Sequence, residues 1–466
     1  MFRLPKGTEI TPSLLDDFLS KHSQEIKRYE SLKNAYESNH EILKKPKKPS
    51  YKPDNRIVVN FPKYIVDTFN GFFIGIPIKH KCSDAKVLEY VEHIDQYNDQ
   101  DDNNAELSKI MSIFGSGYEM YYADEDSELC ITYLTPIDAF MIYDDSIIER
   151  EMYFVRRYKD YEDKEYGSIS NNYGVREFSL DGGFKWLDED WKPHYFDGVP
   201  AKEYIENSER QGLFEPVMPM VNAYNKAISE KANDVDYFAD AYLKKLGGEK
   251  LEKEDVTFIR DNRIIDIPGE DSKEISVEFM NKPSNDGTQE NLLNRLERLI
   301  FQISMVANIS DENFGTSSGI AMRYKLQAMS NLFKSKERKF ISGLNRRYKL
   351  LFSHPLSKVP ADAWVTLYHK CTPNNPANLA EEAQIASDLE GVVSKKTQLE
   401  VLSIIENVQD ELDQIKAENE EEAEDKANKD KEILGFLTDE TDNKENSEDE
   451  TALEKQLKED MPNGTN

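Results

Sequence analysis

One stretch of the sequence matches an enzyme motif. Gly315-Thr316-Ser317-Ser318-Gly319 has the pattern Gly-x-Ser-x-Gly of a hydrolase nucleophile elbow. In such an elbow the serine hydroxyl attacks a carbonyl, and a strained turn between a buried strand and a helix holds it in place. Here a helix and a polar loop come before the serine, so a simpler interpretation is that Ser317 or Ser318 caps the following helix. The sequence favours capping, and hydrolysis by Ser317 stays as a second hypothesis.

Other chemistry is sparse. The three cysteines, Cys82, Cys130 and Cys371, lie far apart, and none has the spacing of a zinc or redox pair. This pattern predicts free thiols in a reducing compartment. The seven histidines are scattered, and the sequence contains no phosphate-binding loop, dinucleotide fingerprint, zinc motif or calcium loop. We expect no metal, no cofactor and no enzymatic activity.

The chain is strongly acidic, with 59 basic and 89 acidic residues and a net charge of −30. A general nucleic-acid binder needs a cationic surface to displace counterions from phosphates, so this balance argues against one. It does not exclude a protein that surrounds DNA without gripping it.

Membrane association is not expected. The N-terminus lacks the apolar core of a signal peptide. The longest apolar run, residues 72–78, is far too short to span a bilayer. We expect a soluble protein that is made inside the cell.

Two helices must position the loop at residues 308–319. Apolar residues at steps of three and four predict a helix before the loop and a longer helix after it. At about 1.5 Å per residue the longer helix would measure about 45 Å, more than a small domain can bury. The first stripe comprises Leu292, Leu293, Leu296, Leu299, Ile300, Ile303 and Val306. The second comprises Met322, Leu326, Met329, Phe333, Phe340, Leu344, Tyr348 and Leu351.

The longer helix is cationic, with nine basic residues and one acid between residues 319 and 350. A DNA-binding face is one interpretation. In so acidic a chain, pairing with carboxylates of a neighbouring subunit is favoured. The candidate contact residues are Arg323, Lys325, Lys334, Lys336, Arg338 and Lys339.

The first half of the chain predicts an α+β unit. A helix capped by Thr11 is expected to run to residue 45, and further helices are expected from Phe61 to Gly75 and over 84–97 and 104–114. The basic, proline-containing segment 44–53 indicates either a nucleic-acid patch or, preferably, an extended arm on an acidic neighbour. A meandering sheet follows, with strands at 119–122, 129–133, 139–143, 152–158 and 175–180.

The second half begins with a helix predicted over 214–248. Strands are predicted at 256–260, 263–267, 275–280 and 364–368, and three helices at 377–389, 396–405 and 410–429. Residues 428–466 are poor in apolar side chains and rich in Glu, Asp, Asn and Lys, which is typical of a disordered acidic tail.

Four stretches resemble signatures of tailed-phage portal proteins, in particular those of long-tailed phages of Gram-positive bacteria. The first is Ser310 to Lys325, across the loop and the start of the long helix. The others are Asn60 to Ile78, Asn207 to Lys226 and Leu389 to Thr397. The resemblance covers roughly residues 10–425 in the family's order and spacing.

The resemblance implies a mainly helical α+β fold of the portal type that forms rings. It implies an N-terminal wing (1–213), a clip (247–288), a tunnel loop (308–319) and a helical crown (376–427) before the acidic tail. The paired stem helices would be 214–246 and 289–307. The long wing helix would be 320–352, followed by a wing strand in 353–375.

The implied function is a ring of about twelve identical subunits at one capsid vertex, with a channel for double-stranded DNA packaging and ejection. Implied partners are the terminase large subunit, a head–tail adaptor protein, and the major capsid and scaffolding proteins. The tunnel-loop residues would be Asn308, Ser310, Asp311, Glu312, Asn313, Thr316 and Ser317. The clip residues that dock motor and connector would be Asp255, Arg260, Arg263, Asp266 and Glu278.

The loop chemistry fits a DNA channel. Asp311 and Glu312, repeated around a ring, would form a repulsive collar, because fixed cations would bind the polyanion and slow its passage. A third hypothesis is a capsid-associated internal or minor head protein that forms no channel.

Overall fold

The computed structural model describes the chain except for residues 50–51, 240–242, 247–275, 280–285, 310–318, 375–378, 403, 406–407, 422, 424–425 and 427–466. Contacts divide it into two compact units, Met1–Asn375 and Pro376–Asn466. The described residues combine helices with sheets, as expected for an α+β protein. None of the helices in the described part is long and apolar enough to span a bilayer.

The first helix starts at its predicted cap, Thr11, and the second starts at Phe61 as predicted, whereas the fourth starts at Gln100 rather than at the predicted residue 104. Thr11 accepts a hydrogen bond from the Leu14 amide at 3.3 Å, and Pro12 occupies the first helical position. Asn60 accepts one from the Lys63 amide at 2.9 Å. The helix predicted to reach residue 45 ends at Tyr36, and a short 3-10 helix, Glu41–Lys44, follows. The helices are α1 (Pro12–Tyr36), α2 (Phe61–Ile74), α3 (Ala85–Tyr97) and α4 (Gln100–Phe114).

Eleven strands lie before residue 206, and most of them belong to two sheets. They are β1 (Phe2–Leu4), β2 (Lys79–Lys81), β3 (Ser116–Ala123), β4 (Leu129–Leu134), β5 (Ala139–Asp144), β6 (Glu151–Lys159), β7 (Glu165–Ser170), β8 (Gly174–Ser179), β9 (Lys185–Trp186), β10 (Lys192–Pro193) and β11 (Ala201–Ile205).

The predicted single meander is wrong. Strands β5 to β8 do form an antiparallel meander, which β1 extends in parallel at one edge and β9 and β10 at the other. Strands β3 and β4, however, pair with β11 in a separate sheet of three. The reason is that β11, a strand the sequence pattern did not reveal, pairs with β3 over five residues, Ala201 to Ile205.

Two long helices and a small sheet follow. A short 3-10 turn, Glu215–Val217, leads into α5 (Met218–Ala239), and α6 (Asp286–Ser304) returns. The helix predicted to continue to Gly248 instead gives way to β12 (Leu243–Leu246), which pairs antiparallel with β13 (Ser276–Phe279). The run Leu-Lys-Lys-Leu is short enough to fit either periodicity, and the ladder with β13 determines its conformation.

Helix α7 (Gly319–Ser353) has 35 residues and would be about 50 Å long. Its predicted stripe is confirmed from Leu326 onward: every member from there to Leu351 is buried. Phe333 and Phe340 pack against Phe73 of α2 in the largest apolar core. The strand predicted at 364–368 is instead a 3-10 turn, Ala363–Thr366, and then β14 (Tyr368–Lys370), which pairs with β2.

The second unit is helical where it is described. It contains α8 (Leu379–Asp388), α9 (Lys395–Leu399) and helical residues 408–421. Ser394 caps α9 by accepting a hydrogen bond from the Thr397 amide at 3.3 Å. The side-chain amide of Gln398 donates a hydrogen bond to the Ala386 backbone carbonyl at 2.7 Å, and this bond connects α9 to α8.

Candidate functional site

The chain enters the predicted tunnel loop through a well-defined turn. After α6, Met305 adopts a left-handed conformation with φ of 60°, which ends the helix. The Asn308 side chain then donates to Glu297 at 3.2 Å, and the Ile309 amide donates to the Tyr64 hydroxyl at 2.8 Å. The start of the loop is therefore attached to both α6 and α2.

The other predicted loop residues lie outside the described part of the chain. They are Ser310, Asp311, Glu312, Asn313, Thr316 and Ser317. The same holds for four of the five clip residues, Asp255, Arg260, Arg263 and Asp266. The fifth, Glu278, lies on β13 directly opposite Lys244 of β12.

Helices α5 and α6, hereafter the helix pair, pack side by side. Lys231 forms an ion pair with Glu290, and the Gln289 side chain donates to Asp234 at 3.2 Å. Near the loop, aromatic rings connect the pair to α2. The Phe61 ring lies 5.7 Å from Phe301 of α6 and 5.0 Å from Tyr224 of α5, both in edge-on geometry. The helix pair is therefore firmly attached to the N-terminal part of the fold.

Only part of the apolar stripe on α6 is covered within the chain. Leu293 and Ile300 are buried, whereas Leu292 and Ile303 are 50% and 49% exposed. On α5, Val235 is 56% exposed. Burying one such side chain completely would stabilise an assembly by about 1.5–3 kcal/mol. The helix pair therefore offers apolar surface that this chain does not itself bury.

An extended segment, residues 54–59, lies along α5 and is hereafter the arm. The Asn55 amide donates to Asn233 at 2.6 Å, the Ile57 amide to Ser229 at 2.9 Å, and the Val59 amide to Asn225 at 2.8 Å. Alternate arm residues, about 6.6 Å apart, match helix residues spaced by four, about 6 Å apart. Three side chains of one helix face thus serve as hydrogen-bond acceptors for the arm.

The basic segment before the arm also contacts α5. The Lys48 ammonium lies 3.0 Å from the Glu230 carboxylate. The Lys48 amide donates to Asp54 at 3.2 Å, which turns the chain into the arm. For the basic segment 44–53 the preferred prediction is an extended chain lying on an acidic neighbour. Lys48 confirms this prediction, and the neighbour is helix α5 of the same chain.

Helix α7 carries two fully buried cations. Arg347 is 0% exposed, and its guanidinium binds the Glu119 carboxylate of β3 in bidentate fashion. Glu119 also accepts hydrogen bonds from the hydroxyls of Tyr121 at 2.9 Å and Tyr204 at 2.7 Å. Burial opposes the charge on Arg347, but Glu119 keeps the pKa of Arg347 well above its ordinary value.

The second buried cation is Lys336. Its ammonium lies 2.8 Å from Glu206 and donates to Ser112 at 2.7 Å and to the Ser108 carbonyl at 2.9 Å. Burial lowers the pKa of Lys336, and Glu206 counteracts part of that effect. The prediction that Lys336 contacts a neighbouring subunit is therefore corrected, because its side chain lies in the core of its own chain.

The other predicted cations of α7 lie elsewhere on its surface. Lys334 pairs with Glu337 at 2.9 Å, and Lys339 donates to Ser208 at 3.3 Å. Lys325 and Arg338 are exposed. Arg323 is on the helix, but its side chain is outside the described part.

The spacing of the cations from the apolar residues of α7 indicates which cations are buried. Lys336 lies three residues after Phe333 and four before Phe340. Arg347 lies three after Leu344 and four before Leu351. Both cations therefore occupy the apolar stripe itself, where a charge requires a buried partner.

The surroundings do not support the hydrolase hypothesis. Helix α6, rather than a buried strand, is the last element before the loop. The downstream His369 has its Nδ1 2.7 Å from Nδ1 of His80, and burial lowers its pKa to about 3. A general base working at neutral pH needs a pKa near 7. Among the described residues, no group of His, Cys, Asp and Glu side chains has the arrangement of a metal site.

Sequence similarity to known proteins identifies the family to which this chain is related. The sequence profile of a family described as phage portal protein, SPP1 Gp6-like, matches residues 15–425. The chain is also 24% identical over 404 residues to the portal protein of Clostridium phage phiCD119. This match covers 78% of this chain and 86% of that protein. Both results confirm the resemblance found in the sequence. The family match includes the helix pair, the loop and the long helix.

Proposed function

The chain belongs to the SPP1 Gp6-like family of phage portal proteins, and from this premise we propose that it assembles into a closed ring of about twelve identical subunits. The ring would occupy one vertex of a phage capsid and conduct double-stranded DNA during packaging and ejection. The family is structural rather than enzymatic, so we assign no catalytic activity.

The partly exposed stripe of the helix pair carries the proposal. Leu292, Ile303 and Val235 leave apolar surface on two helices that are otherwise anchored by ion pairs and aromatic contacts. In a ring each pair would pack against the pairs of its neighbours and bury this surface. The arm keeps α5 in place while leaving the α6 side available for that contact.

The tunnel loop would face the channel. Its entry is fixed at Asn308 and Ile309, so the loop would leave every subunit in the same direction. Asp311 and Glu312 would then form an acidic collar that repels DNA phosphates, while the amide and hydroxyl side chains beside them would make only weak contacts. DNA would slide past such a collar rather than bind to it.

The remaining segments would serve as docking surfaces. The region around the β12–β13 sheet would contact the terminase large subunit during packaging and a head–tail adaptor afterwards. The wing would face the major capsid and scaffolding proteins. The C-terminal unit would form the crown on the capsid interior side.

Native mass spectrometry with negative-stain imaging tests the ring directly. We expect a closed ring of about twelve or thirteen copies with a central hole. A protein that stays monomeric at high concentration over a range of salt would contradict the proposal.

The channel role is separable from ring formation. Charge reversal at Asp311→Lys with Glu312→Lys should leave rings intact and reduce packaged DNA, because cations in the bore would bind phosphates. Normal packaging by the variant would favour an internal capsid protein without a channel. Ser317→Ala should leave packaging unchanged, whereas a serine hydrolase would lose all turnover.

A further inference from the structure

The hairpin between β5 and β6 exposes two apolar side chains at its tip. Ile147 is 101% exposed and Ile148 is 67% exposed, more than any other aliphatic pair in the described part of the chain. We call residues Asp145–Glu149 the tip. Single exposed apolar residues are ordinary on protein surfaces. Two adjacent isoleucines at the end of a hairpin, both mostly exposed in the described part of the chain, offer an apolar surface for a contact.

The tip is held in one conformation. Asp144 accepts hydrogen bonds from the Ser146 hydroxyl at 2.6 Å and from the amides of Ser146 at 3.2 Å and Arg150 at 2.9 Å. The N-terminal segment supports it from the side, since the Lys6 amide donates to Asp145 at 3.1 Å and Arg3 pairs with Glu149. A preordered tip loses little conformational freedom when it binds, which favours its use in recognition.

A groove of matching character lies on the same wing. Its volume is about 630 Å³, and it opens between the β3 sheet and the face of β6, β7 and β8. Its wall combines polar side chains with apolar ones, and three separate segments contribute the aromatic and aliphatic residues Tyr122, Tyr195, Phe196, Pro355 and Leu356. Tyr122 and Tyr195 are 44% and 64% exposed, and such large rings are the side chains that most often anchor interfaces.

The residues that line the groove include one cation, Arg156, and one carboxylate, Glu177. Arg156 lies in the groove, with its guanidinium 4.6 Å from the Tyr158 ring. In the described structure no carboxylate lies within ion-pair distance of Arg156. Of the two carboxylates at the tip, Glu149 is already paired with Arg3, whereas Asp145 accepts only the uncharged Lys6 amide. An inserted tip would bring the Asp145 carboxylate toward Arg156.

We infer that Ile147 and Ile148 of one subunit insert into the groove of the next subunit, an inference that rests on the ring proposed above. Because the tip is exposed in its own chain, it is available to the groove of a second copy. Tip and groove are different surfaces, so the contact is head-to-tail. Contacts of this type generate closed rings when the rotation closes.

Two substitutions at the tip test the contact. Ile147→Asp with Ile148→Asp should abolish rings in native mass spectrometry while leaving the melting temperature of the dissociated chain almost unchanged, because both side chains are mostly exposed in the described structure. The matched control is Tyr161→Asp, at the 93% exposed tip of the next hairpin, which should assemble normally. Leu356→Asp in the groove should reproduce the assembly defect.

Cross-linking identifies the partners. One chain carries Ile147→Cys and a second, with a different tag, carries Leu356→Cys, both in a Cys82→Ser background because Cys130 and Cys371 are buried. A short thiol-reactive reagent should join the two tags after coexpression, and should not join chains that both carry Ile147→Cys.

Each outcome has a definite meaning. Intact rings from the tip variant, or rings without the mixed product, would overturn the inference and leave the portal function standing. Failure of the unmodified chain to form rings would instead overturn the proposed function.

Discussion

The wing beneath α7 and the helix pair differ in which side chains they bury and which they leave exposed. In the wing, even charged groups are completed inside the chain: Arg347 and Lys336 are buried with Glu119 and Glu206 as partners. On the helix pair, apolar side chains such as Leu292 and Ile303 remain half exposed. Charged side chains are thus buried in the first region and apolar side chains are exposed in the second, which is the reverse of their usual distribution. The buried network under α7 is satisfied within one chain, whereas the exposed stripe of the helix pair would be buried only in the proposed ring.

This difference predicts where substitutions act. A change in the buried network should reduce the free energy of unfolding of each chain, because removing one partner leaves a desolvated charge. A change on the exposed stripe should affect assembly and leave the chain's own stability almost untouched. The following four substitutions separate these two effects, from the largest expected loss of stability to the smallest.

Glu119→Gln should have the largest effect. The carboxylate binds Arg347 and accepts two tyrosine hydroxyls, so the neutral amide would leave the guanidinium buried without a counter-charge. We expect a loss of about 3–5 kcal/mol in the free energy of unfolding. Urea denaturation at a fixed protein concentration measures it.

The double variant Glu119→Gln with Arg347→Met is its control. Removing both charges eliminates the unpaired ion, so it should recover at least half of the loss. A single-variant loss below about 1 kcal/mol would show that the pair contributes little to the stability of the wing.

His22 should make the wing sensitive to acid. Its Nε2 lies 2.8 Å from the Pro136 carbonyl, and its Nδ1 is buried without a hydrogen-bond partner. Burial, together with Arg157, lowers the pKa of His22 to about 4, although the Pro136 carbonyl and Asp138 oppose the shift. The unfolded chain, with an ordinary pKa near 6.5, therefore takes up the proton first as the pH falls.

The stability contributed by neutral His22 is complete above about pH 6.5 and is lost as the pH falls toward 4, by about 2 kcal/mol at pH 5. His22→Gln, which cannot titrate, should show a correspondingly smaller loss between pH 7.5 and pH 5. Equal slopes for His22→Gln and the unmodified chain would contradict this assignment.

The sequence predicted much of the helical framework because its signals are local. The cap at Thr11, the start of α2 at Phe61 and the buried stripe of α7 all follow from residues close together in the chain. The separation of β3 and β4 from the meander depends on β11, about eighty residues later, and no local pattern reports such a pairing. The change from α5 to β12 depends in the same way on β13.

The candidate site was likewise predictable from the sequence only where its signals are local. The composition of the loop and the cationic bias of α7 were visible in the sequence. Which cations face the core was encoded by their spacing from Phe333 and Leu344, but their partners, Glu119 and Glu206, come from distant segments. The tip and groove were missed because exposure of Ile147 is a property of the folded hairpin.

Ser229→Ala tests the contact by which the arm is attached to α5. The hydroxyl accepts a hydrogen bond from the Ile57 amide at 2.9 Å and donates to the Asn225 carbonyl at 2.6 Å. Its removal leaves the arm amide without a partner, and we expect a loss of about 1 kcal/mol and faster hydrogen exchange at Ile57. Ser330→Ala is the matched control, since Ser330 donates only to the Leu326 carbonyl of its own helix. Unchanged exchange at Ile57 would show that the arm does not depend on this contact.

The smallest effect on the single chain should come from Leu292→Glu with Ile303→Glu on α6. Both side chains are half exposed, so each change should alter the free energy of unfolding of the dissociated chain by no more than about 0.5 kcal/mol. Assembly should nevertheless fail, because the carboxylates would be buried between subunits without partners. Asn294→Glu with Gln302→Glu adds the same charge at exposed polar positions of the same helix and should still form rings. If both double variants assembled equally well, the exposed stripe would not be a subunit contact, and the contrast between a buried network satisfied within one chain and a helix pair completed by its neighbours would fail.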